Sequence, residues 1–411
     1  MWTPRTEHDI QLAIDEGNLA ENYSLDVKQW SDVTANEKGR RETARDLASF
    51  SIGGGALLFG VAEDTKERTF TRVPFALAGE AERIEQIAAT RIDPPLPIRV
   101  TDIPSDADPS TGYLLVEIPP SPHAPHMSDG RYYARGDRTK RQLTDAEVVR
   151  LHQDRRKERE LVEEALTAWV SRNMSLDGGQ KHAHLHLAAV PLSNYREDAL
   201  EHIARAHDQQ QAVTLFVEVE AGLARSLLPF QPTLQDGHRW VAREAGAAWT
   251  TLDEEGKLAE SWFDERSLLD AEIHDDGSFR VLMGGLSDYV ASEGTQRAVF
   301  FEVGLISWVW RAVLLAQAVS EEMDYRGPWG VGLYVDGLKG QVSWAVEERK
   351  GRFLRQRYVY PLDTYEAVTT AHLVELEGHG DDVVNRLVRK LIQGFRSYDE
   401  VTDLIRGGRR T

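Results

Sequence analysis

The stretch SIGGGALLFGVAED, residues 51–64, decides the fold of the first part of the chain. Three glycines, Gly53 to Gly55, precede four apolar residues, and the acids Glu63 and Asp64 close the segment. Residues 37–52 carry apolar side chains at helical spacing, so the glycines are expected to end a helix and ALLF to form a buried strand. The predicted order is helix, glycine turn, strand.

This order argues against a nucleotide-binding loop. A phosphate-binding loop places its glycines after a strand and before a helix, and the triphosphate version adds a Lys-Ser or Lys-Thr pair. Here the glycines follow a helix, and no such pair comes after them. The glycine turn therefore indicates a helix end with close packing, and any chemistry is expected from the acids beyond the strand.

The segment SLDVKQW, residues 24–30, alternates as a strand does, with Leu25 and Val27 on one face and Asp26 and Lys28 on the other. If this strand pairs beside ALLFGV, its polar face would meet the acids beyond the second strand, with Glu21 arriving from the preceding loop. Further predicted helices at 8–18, 80–92 and 143–166 and strands at 93–103, 112–126 and 130–139 make this part mixed α/β.

Clustered carboxylate oxygens are the ligands of hard divalent cations, and a lysine beside them can stabilise phosphate charge or orient an attacking water. The sequence therefore predicts an Mg²⁺ or Mn²⁺ site, with Lys28 beside a phosphate and with the candidate ligands Glu21, Asp26, Glu63 and Asp64. Carboxylates also line many surfaces without a function, so a structural role for these acids stays open.

A basic segment, RYYARGDRTKRQ at residues 131–142, stands out in an acidic chain. Cations interleaved with aromatic rings are typical of surfaces that hold phosphates and stack bases. The residues predicted to hold a nucleic-acid backbone are Arg131, Tyr133, Arg135, Arg138 and Lys140. An edge strand protected by charge would produce the same pattern.

Composition limits the class of protein. The 411 residues include no cysteine, which excludes disulfides and thiolate metal sites, and the net charge of −19 argues against nonspecific polyanion binding. Acids near the N-terminus argue against an export signal, so we expect a cytoplasmic protein. The apolar run 303–319 is too short to span a bilayer and predicts a buried helix, with Trp308 and Trp310 as core or oligomer contacts, so we expect no membrane partner.

Length favours two domains, which we place at 1–155 and 156–411. The second is also α/β, with predicted strands at 182–192, 211–220, 329–337 and 357–363 and helices near 195–208, 303–319 and 381–396. The alternating His182, His184 and His186 would face one side of the first strand, as a metal site or as an exposed strand face. The second domain has no diagnostic motif, and substrate selection, sensing or oligomerisation are its candidate roles.

Three segments in this order resemble the Schlafen or AlbA-2 domain family, also described as divergent AAA or DNA-binding, over about residues 5–155. They are Glu21 with LDVK, then LASFSIGGGALLFGVAED, then YYARGDRT. The resemblance implies a small mixed sheet and a metal-dependent endoribonuclease that cuts tRNA-like RNA, with Glu21, Asp26 and Glu63 as its three carboxylates and Lys28 as the strand lysine. Some relatives suggest a role in defence or as a toxin.

The chain departs from the family pattern at its acids. Asp26 replaces a glutamate, Ala62 occupies an acidic position, and Glu63 replaces an aspartate, for which Asp64 could substitute. Three hypotheses follow: a metal-dependent endonuclease that prefers RNA to DNA, a non-catalytic nucleic-acid-binding regulator, and an assembly module whose acidic second half recruits a protein. The family's need for two lobes and the apolar helix at 303–319 lead us to expect a homodimer.

Overall fold

A computed structural model describes residues 2, 4–19, 22–30, 37–64, 69–136, 139–172, 179–192, 198–204, 210–228, 230–253, 255–259, 264–292, 295–350 and 358–409. Contacts between Cα atoms divide the chain into two units, Met1–Arg156 and Lys157–Thr411. Each unit is mixed α/β, and the predicted fold class is confirmed.

The first unit has these elements: α1 (Glu7–Asp15), β1 (Leu25–Lys28), α2 (Glu37–Phe50), β2 (Gly55–Phe59), β3 (Val61–Asp64), β4 (Thr69–Arg72), β5 (Phe75–Ala76), α3 (Glu80–Arg91), β6 (Ile92–Asp93), β7 (Arg99–Pro104), β8 (Thr111–Ile118), β9 (Met127–Ser128), β10 (Arg131–Arg135) and β11 (Lys140–Gln142). Helix α4 (Asp145–Val170) begins in this unit and ends in the second.

The opening stretch folds as predicted. Helix α2 ends at Phe50, the amide of Gly54 donates to the Phe50 carbonyl over 2.8 Å, and β2 begins at Gly55. A Cβ on Gly55 would overlap the Phe50 ring, so the tight exit from helix to strand requires glycine there. Strand β2 then pairs in parallel with β1, which places Asp26 opposite Leu57.

The main sheet of the first unit has the strand order β1-β2-β8-β5, with β7 also on β8. On one face Leu25, Val27 and Leu58 pack with Ile10 of α1. On the other face Leu57 and Phe59 pack with α2 and α3. Because side chains alternate along a strand, Asp26 and Lys28 lie on the α2 face, on the strand at the end of this order.

The second unit has these elements: β12 (His184–Pro191), α5 (Glu201–Ala204), α6 (Gln210–Gly222), β13 (Arg239–Arg243), β14 (Gly246–Thr250), a 3₁₀ turn (Glu265–Ser267), β15 (Leu269–His274), β16 (Phe279–Met283), β17 (Ser287–Ser292), β18 (Thr295–Phe300), α7 (Glu302–Glu322), β19 (Pro328–Asp336), β20 (Val342–Ser343), α8 (Trp344–Lys350), β21 (Tyr365–His372), α9 (Leu373–Gly394) and α10 (Tyr398–Arg406). Its main sheet has the order β13-β14-β15-β16-β12-β19-β21.

The predicted strand at 211–220 is wrong, because this segment lies in helix α6. Its many β-branched residues favour a strand locally, but tertiary packing decides the outcome. Ala212, Leu215, Phe216 and Val219 are buried at the i, i+3, i+4, i+7 spacing of one helix face, in the same core as α7. The predicted strand at 357–363 is also displaced: residue 357 lies outside the described residues, and β21 begins at Tyr365.

Helix α7 is the apolar segment predicted to be buried. By length and composition it could cross a membrane, but 89% of its apolar window is buried inside the unit. Trp308 and Trp310 are both buried, and the Trp310 indole donates to the Ile405 carbonyl over 3.0 Å. A core role for both tryptophans is confirmed, which removes α7 as a reason to expect a homodimer.

Candidate nucleic-acid interface

Asp26 is a buried carboxylate between two cations. Its side chain is 1% exposed, and the Lys28 ammonium lies 3.1 Å from Oδ1 and 3.0 Å from Oδ2. The Arg135 guanidinium, from β10, donates to Oδ2 over 3.0 Å. Arg135 is itself 6% exposed and lies over the Phe50 ring, 4.9 Å from its centroid. A buried carboxylate is stable only when paired in this way.

A second group of charges comes from α2. The Lys140 ammonium, on β11, lies 2.7 Å from Asp46 Oδ1 and 2.8 Å from Glu42 Oε2. Burial raises the pKa of Asp46, and the charge of Lys140 opposes that rise. Burial lowers the pKa of Lys140, but Asp46 and Glu42 outweigh it and hold that pKa above its usual value. Lys140 therefore stays charged beside its two acids.

The two groups of charges border one cavity. It has a volume of about 180 Å³ and lies against β1 and α2. Its lining residues are Lys28, Gly39, Glu42, Thr43, Asp46, Leu57, Phe59 and Lys140. The Lys28 side chain, paired with Asp26, is 32% exposed, so it is partly accessible to solvent at the border of the cavity. The lining carries two lysines and two acids, Glu42 and Asp46, and the lysines are the groups that suit a phosphate.

The predicted metal ligands are not assembled by the residues that the structure describes. Glu21 lies outside them. Glu63 and Asp64 are exposed on β3, which pairs with β4, while both oxygens of Asp26 face cations. Over the described ranges, no three Asp, Glu or His side chains form a group that could hold a metal ion. These residues by themselves do not fit an Mg²⁺ or Mn²⁺ site.

The basic segment divides into exposed and buried members. Arg131 is exposed and donates to Gln142 Oε1 over 3.1 Å, whereas Arg135 is buried against Asp26. Tyr133 is 8% exposed, with the Arg45 guanidinium 5.9 Å from its ring centroid, so its ring packs inside and offers no face to a base. Arg138 lies outside the described residues. Arg131 and Lys140 are thus the described members positioned to meet a phosphate.

Two acids of this interface, Glu42 and Asp46, were missed by sequence reasoning. The available signal was helical spacing: Asp46 lies between Ala44 and Leu47, inside the apolar face of the predicted helix, and Glu42 is one turn before it. An acid on the buried face of a helix needs a cation nearby. That requirement could have indicated a partner such as Lys140.

The histidines singled out in the sequence are packing residues in the structure. His184 pairs with Glu265 at 2.8 Å, His186 lies 3.5 Å from Asp336, and Nδ1 of His182 contacts the Ser287 carbonyl over 2.7 Å. His184 and His186 are buried, so the expected exposed strand face is wrong. Each histidine instead has its own partner, with no shared ligand position.

Comparison of the sequence with models of known protein families gives a match within the first unit. Residues 21–144 match the model of the Schlafen, AlbA_2 domain. The first unit contains this domain. The resemblance predicted from the three segments is confirmed at that level, and it supports a nucleic-acid-related function. The match covers less than a third of the 411 residues and none of the second unit.

Two solved structures align with parts of the chain. One is the DIP2311 protein from Corynebacterium diphtheriae, at 17% identity and a TM-score of 0.25, over 50% of this chain and 35% of that one. The other is the N-terminal domain of a protein related to the ATP-dependent DNA helicase RecG from Nitrosomonas europaea. It aligns at 19% identity and a TM-score of 0.22, over 32% of this chain and 92% of that one. Such scores support no structural argument. No curated protein matches the chain.

Proposed function

We propose that the AlbA_2 unit binds nucleic acid through the cations around its β1 and α2 cavity. The observation that supports this most directly is the placement of Lys28 and Lys140 on the lining of one cavity, with the Lys28 side chain 32% exposed. A phosphate entering the cavity would meet two ammonium groups and would compete with Glu42 and Asp46 for that of Lys140. In a chain of net charge −19, binding has to depend on such a local group of cations.

The surrounding residues position these cations. Arg135 neutralises Asp26 from the buried side, so Lys28 need not supply all of the compensating charge. Arg131 extends the cationic surface along β10. Arg141, also exposed, is paired with Glu147 at 2.7 Å, as Lys140 is with Asp46 and Glu42, but Arg141 does not line the cavity. The interface therefore consists of Lys28, Lys140 and Arg131, held in place by Arg135.

A salt titration of binding tests this proposal. Lys28→Met keeps the packing of the stem and leaves Arg135 beside Asp26, so the protein should still fold, with some loss of stability because the buried carboxylate loses one of its two cations. Each lost phosphate contact lowers the slope of log affinity against log salt by about 0.7 to 0.9. Fluorescence anisotropy with labelled RNA and DNA oligonucleotides would measure that slope, with Lys257→Met, an exposed lysine paired with Glu255 in the second unit, as the matched control. An affinity and slope unchanged by Lys28→Met would reject the proposal.

A second candidate is a metal-dependent endonuclease that prefers tRNA-like RNA to DNA, with a role in defence or as a toxin. The observation that favours it is the shared face of Asp26 and Lys28 on β1, next to a β2 strand that leads into Glu63 and Asp64. To hold Mg²⁺ or Mn²⁺ for Lewis-acid chemistry, Glu21, Asp26, Glu63 and Asp64 would have to come together, an arrangement that the described residues do not show. Lys28 and Lys140 would orient the phosphate beside them.

The exposed acids give the sharpest test of cleavage. Because Glu63 and Asp64 are exposed, Glu63→Gln and Asp64→Asn should change stability by less than about 0.5 kcal/mol. Total tRNA and single- and double-stranded DNA would be incubated with Mg²⁺ or Mn²⁺, with and without a chelator. Metal-dependent cutting that either variant abolishes supports the nuclease. Binding that survives the chelator, without any cutting, would instead support a non-catalytic nucleic-acid-binding protein.

We also propose a homodimer in solution, on the resemblance to a two-lobed family alone. Light scattering across the working concentration range tests this directly. A constant monomer mass would reject the homodimer without affecting the proposed interface, because Lys28 and Lys140 come from the same chain.

A further inference from the structure

Tyr23 is the most exposed large apolar or aromatic side chain in the part of the chain that the structure describes, at 72%. Single exposed apolar residues are common on protein surfaces, so exposure by itself indicates nothing. What distinguishes Tyr23 is the turn that carries it and the residues to which that turn is attached.

The backbone on both sides of Tyr23 is fixed by hydrogen bonds. Asn22 Oδ1 accepts from the amide of Ser24 over 2.8 Å, from the Ser24 hydroxyl over 2.9 Å and from the amide of Leu25 over 3.0 Å. The Asn22 amide in turn donates to the Leu25 carbonyl over 3.0 Å. This is a closed Asx turn. Tyr23 is the residue between its two anchored ends, and its ring is directed to solvent.

The turn belongs to the same corner of the unit as the cationic interface. The Asn22 carbonyl accepts from Arg135 Nε over 3.4 Å, and the Ser24 carbonyl accepts from the amide of Ala56 in β2 over 2.8 Å. Arg135 also holds Asp26. Tyr23 lies in the turn that leads into β1, and Lys28 is the last residue of that strand, which spans about 10 Å from Leu25 to Lys28. A few nucleotides span that distance.

We propose that Tyr23 is a platform on which an unpaired base stacks while the lysines of the cavity hold the neighbouring backbone. This inference rests on the proposed nucleic-acid function and specifies its ligand: a nucleic acid with unstacked bases, either a single strand or a loop. A base inside a duplex is stacked on its neighbours, so it can stack on an aromatic ring only after it has left the duplex. A ring held on a rigid turn loses little conformational freedom on binding, which favours affinity.

The test compares wild type, Tyr23→Ala and Tyr23→Phe, with Tyr289→Ala as the control, since Tyr289 is an exposed tyrosine of the second unit. The probes are a 12-nucleotide single strand, the same sugar-phosphate backbone without bases, and a blunt duplex. We expect Tyr23→Ala to weaken binding to the base-containing strand by about 5- to 150-fold, the usual range for one stacked base. Tyr23→Phe keeps an aromatic ring at position 23, and Tyr289→Ala leaves Tyr23 unchanged. Both variants should therefore bind this strand within about twofold of wild type.

The probe without bases separates stacking from a structural effect. Tyr23→Ala should bind that backbone and the duplex as wild type does. Equal affinity of Tyr23→Ala and wild type for the base-containing strand, or an equal loss on all three probes, would overturn the role of Tyr23. If wild type bound none of the probes, the proposed function itself would fail. Binding that depends on Lys28 but is unchanged by Tyr23→Ala would support that function and reject only the role of Tyr23 as a stacking platform.

Discussion

Asp26 in the first unit and Glu272 in the second are both buried carboxylates on a sheet face, and each pairs with an arginine from outside its strand, Arg135 and Arg172 respectively. The surroundings differ. Beside Asp26, Lys28 reaches solvent at a cavity. Beside Glu272, the other partners are the buried His274 and Arg243, whose Nε lies 3.8 Å from Oε2, and the Arg172 guanidinium lies over the Trp169 ring, 5.4 Å from its centroid.

The comparison shows that a buried acid with an arginine partner does not by itself indicate a binding site. In the second unit such a pair joins a strand to the end of α4, and an aromatic ring lies against its guanidinium. In the first unit the same kind of pair leaves a further cation beside a cavity. Because the Arg172 side chain is 39% exposed and Lys28 only 32%, the feature that distinguishes the candidate interface is the cavity beside Lys28, and the buried ion pair is its support.

The largest effect is expected from Arg135→Ala, which breaks the support in the first unit. Removing one partner of a buried ion pair leaves an uncompensated charge and costs about 3 to 5 kcal/mol. Lys28 remains beside Asp26 and keeps the loss near the lower end. Urea denaturation at pH 7 would measure it. Arg131→Ala, which removes an exposed arginine of the same strand, should stay within about 0.5 kcal/mol of wild type. Equal stabilities of the two variants would show that the ion pair of Arg135 with Asp26 does not stabilise the first unit.

The next effect is expected from Glu272→Gln in the second unit. Burial raises the pKa of Glu272, but the hydrogen bond with His274 and the charge of Arg172 outweigh it and lower the pKa to about 2. A carboxyl whose pKa is lower in the folded state stabilises the fold above its unfolded pKa of 4.5, and that contribution is lost as the pH falls from 4.5 towards 2. At pH 7 it amounts to about 3 kcal/mol.

The pH dependence is the check on this second prediction. The difference in unfolding free energy between wild type and Glu272→Gln should be largest at pH 7 and should shrink between pH 4.5 and pH 3. A difference that stays constant over that range would mean that the effect of the substitution comes from packing and not from the charge of the carboxylate.

Local sequence patterns predicted the parts of this molecule that local forces determine. The glycines at 53–55 predicted the end of α2, and the alternation of residues 24–30 placed Asp26 and Lys28 on one face of β1. Both features depend on neighbours within a few residues. The same local logic failed at α6, where β-branched residues predicted a strand and packing against α7 imposed a helix.

The partners of the charged residues were not predictable in this way. Arg135 meets Asp26 across 109 positions of sequence, and Lys140 meets Asp46 across 94. Such pairs depend on how β10 and β11 lie against α2 and β1, which no spacing within one segment encodes. The sequence therefore identified Arg135 and Lys140 as cations of interest but could not show that the first is buried and the second borders a cavity.

The smallest effect is expected from Glu42→Gln. This substitution removes one carboxylate from the cavity lining and leaves the buried pair of Asp26 and Arg135 intact. The hydrogen bond with Lys140 lowers the pKa of Glu42, so this carboxylate is charged at neutral pH and competes with a phosphate for the same ammonium. Lys140 keeps Asp46 as a partner after the substitution. Glu42 also pairs with Arg45, at 2.6 Å, and since its side chain is partly exposed the two lost ion pairs should together cost about 1 kcal/mol of stability.

Binding should then tighten by about two- to fivefold, because one competing negative charge is removed from the cavity. The gain should fade at high salt, since screening weakens the repulsion that Glu42 exerts. Glu255→Gln is the matched control: it removes an exposed glutamate paired with a lysine in the second unit and should leave affinity unchanged. Equal gains in both variants would point to net charge as the cause. A gain only in Glu42→Gln would place the phosphate beside Lys140.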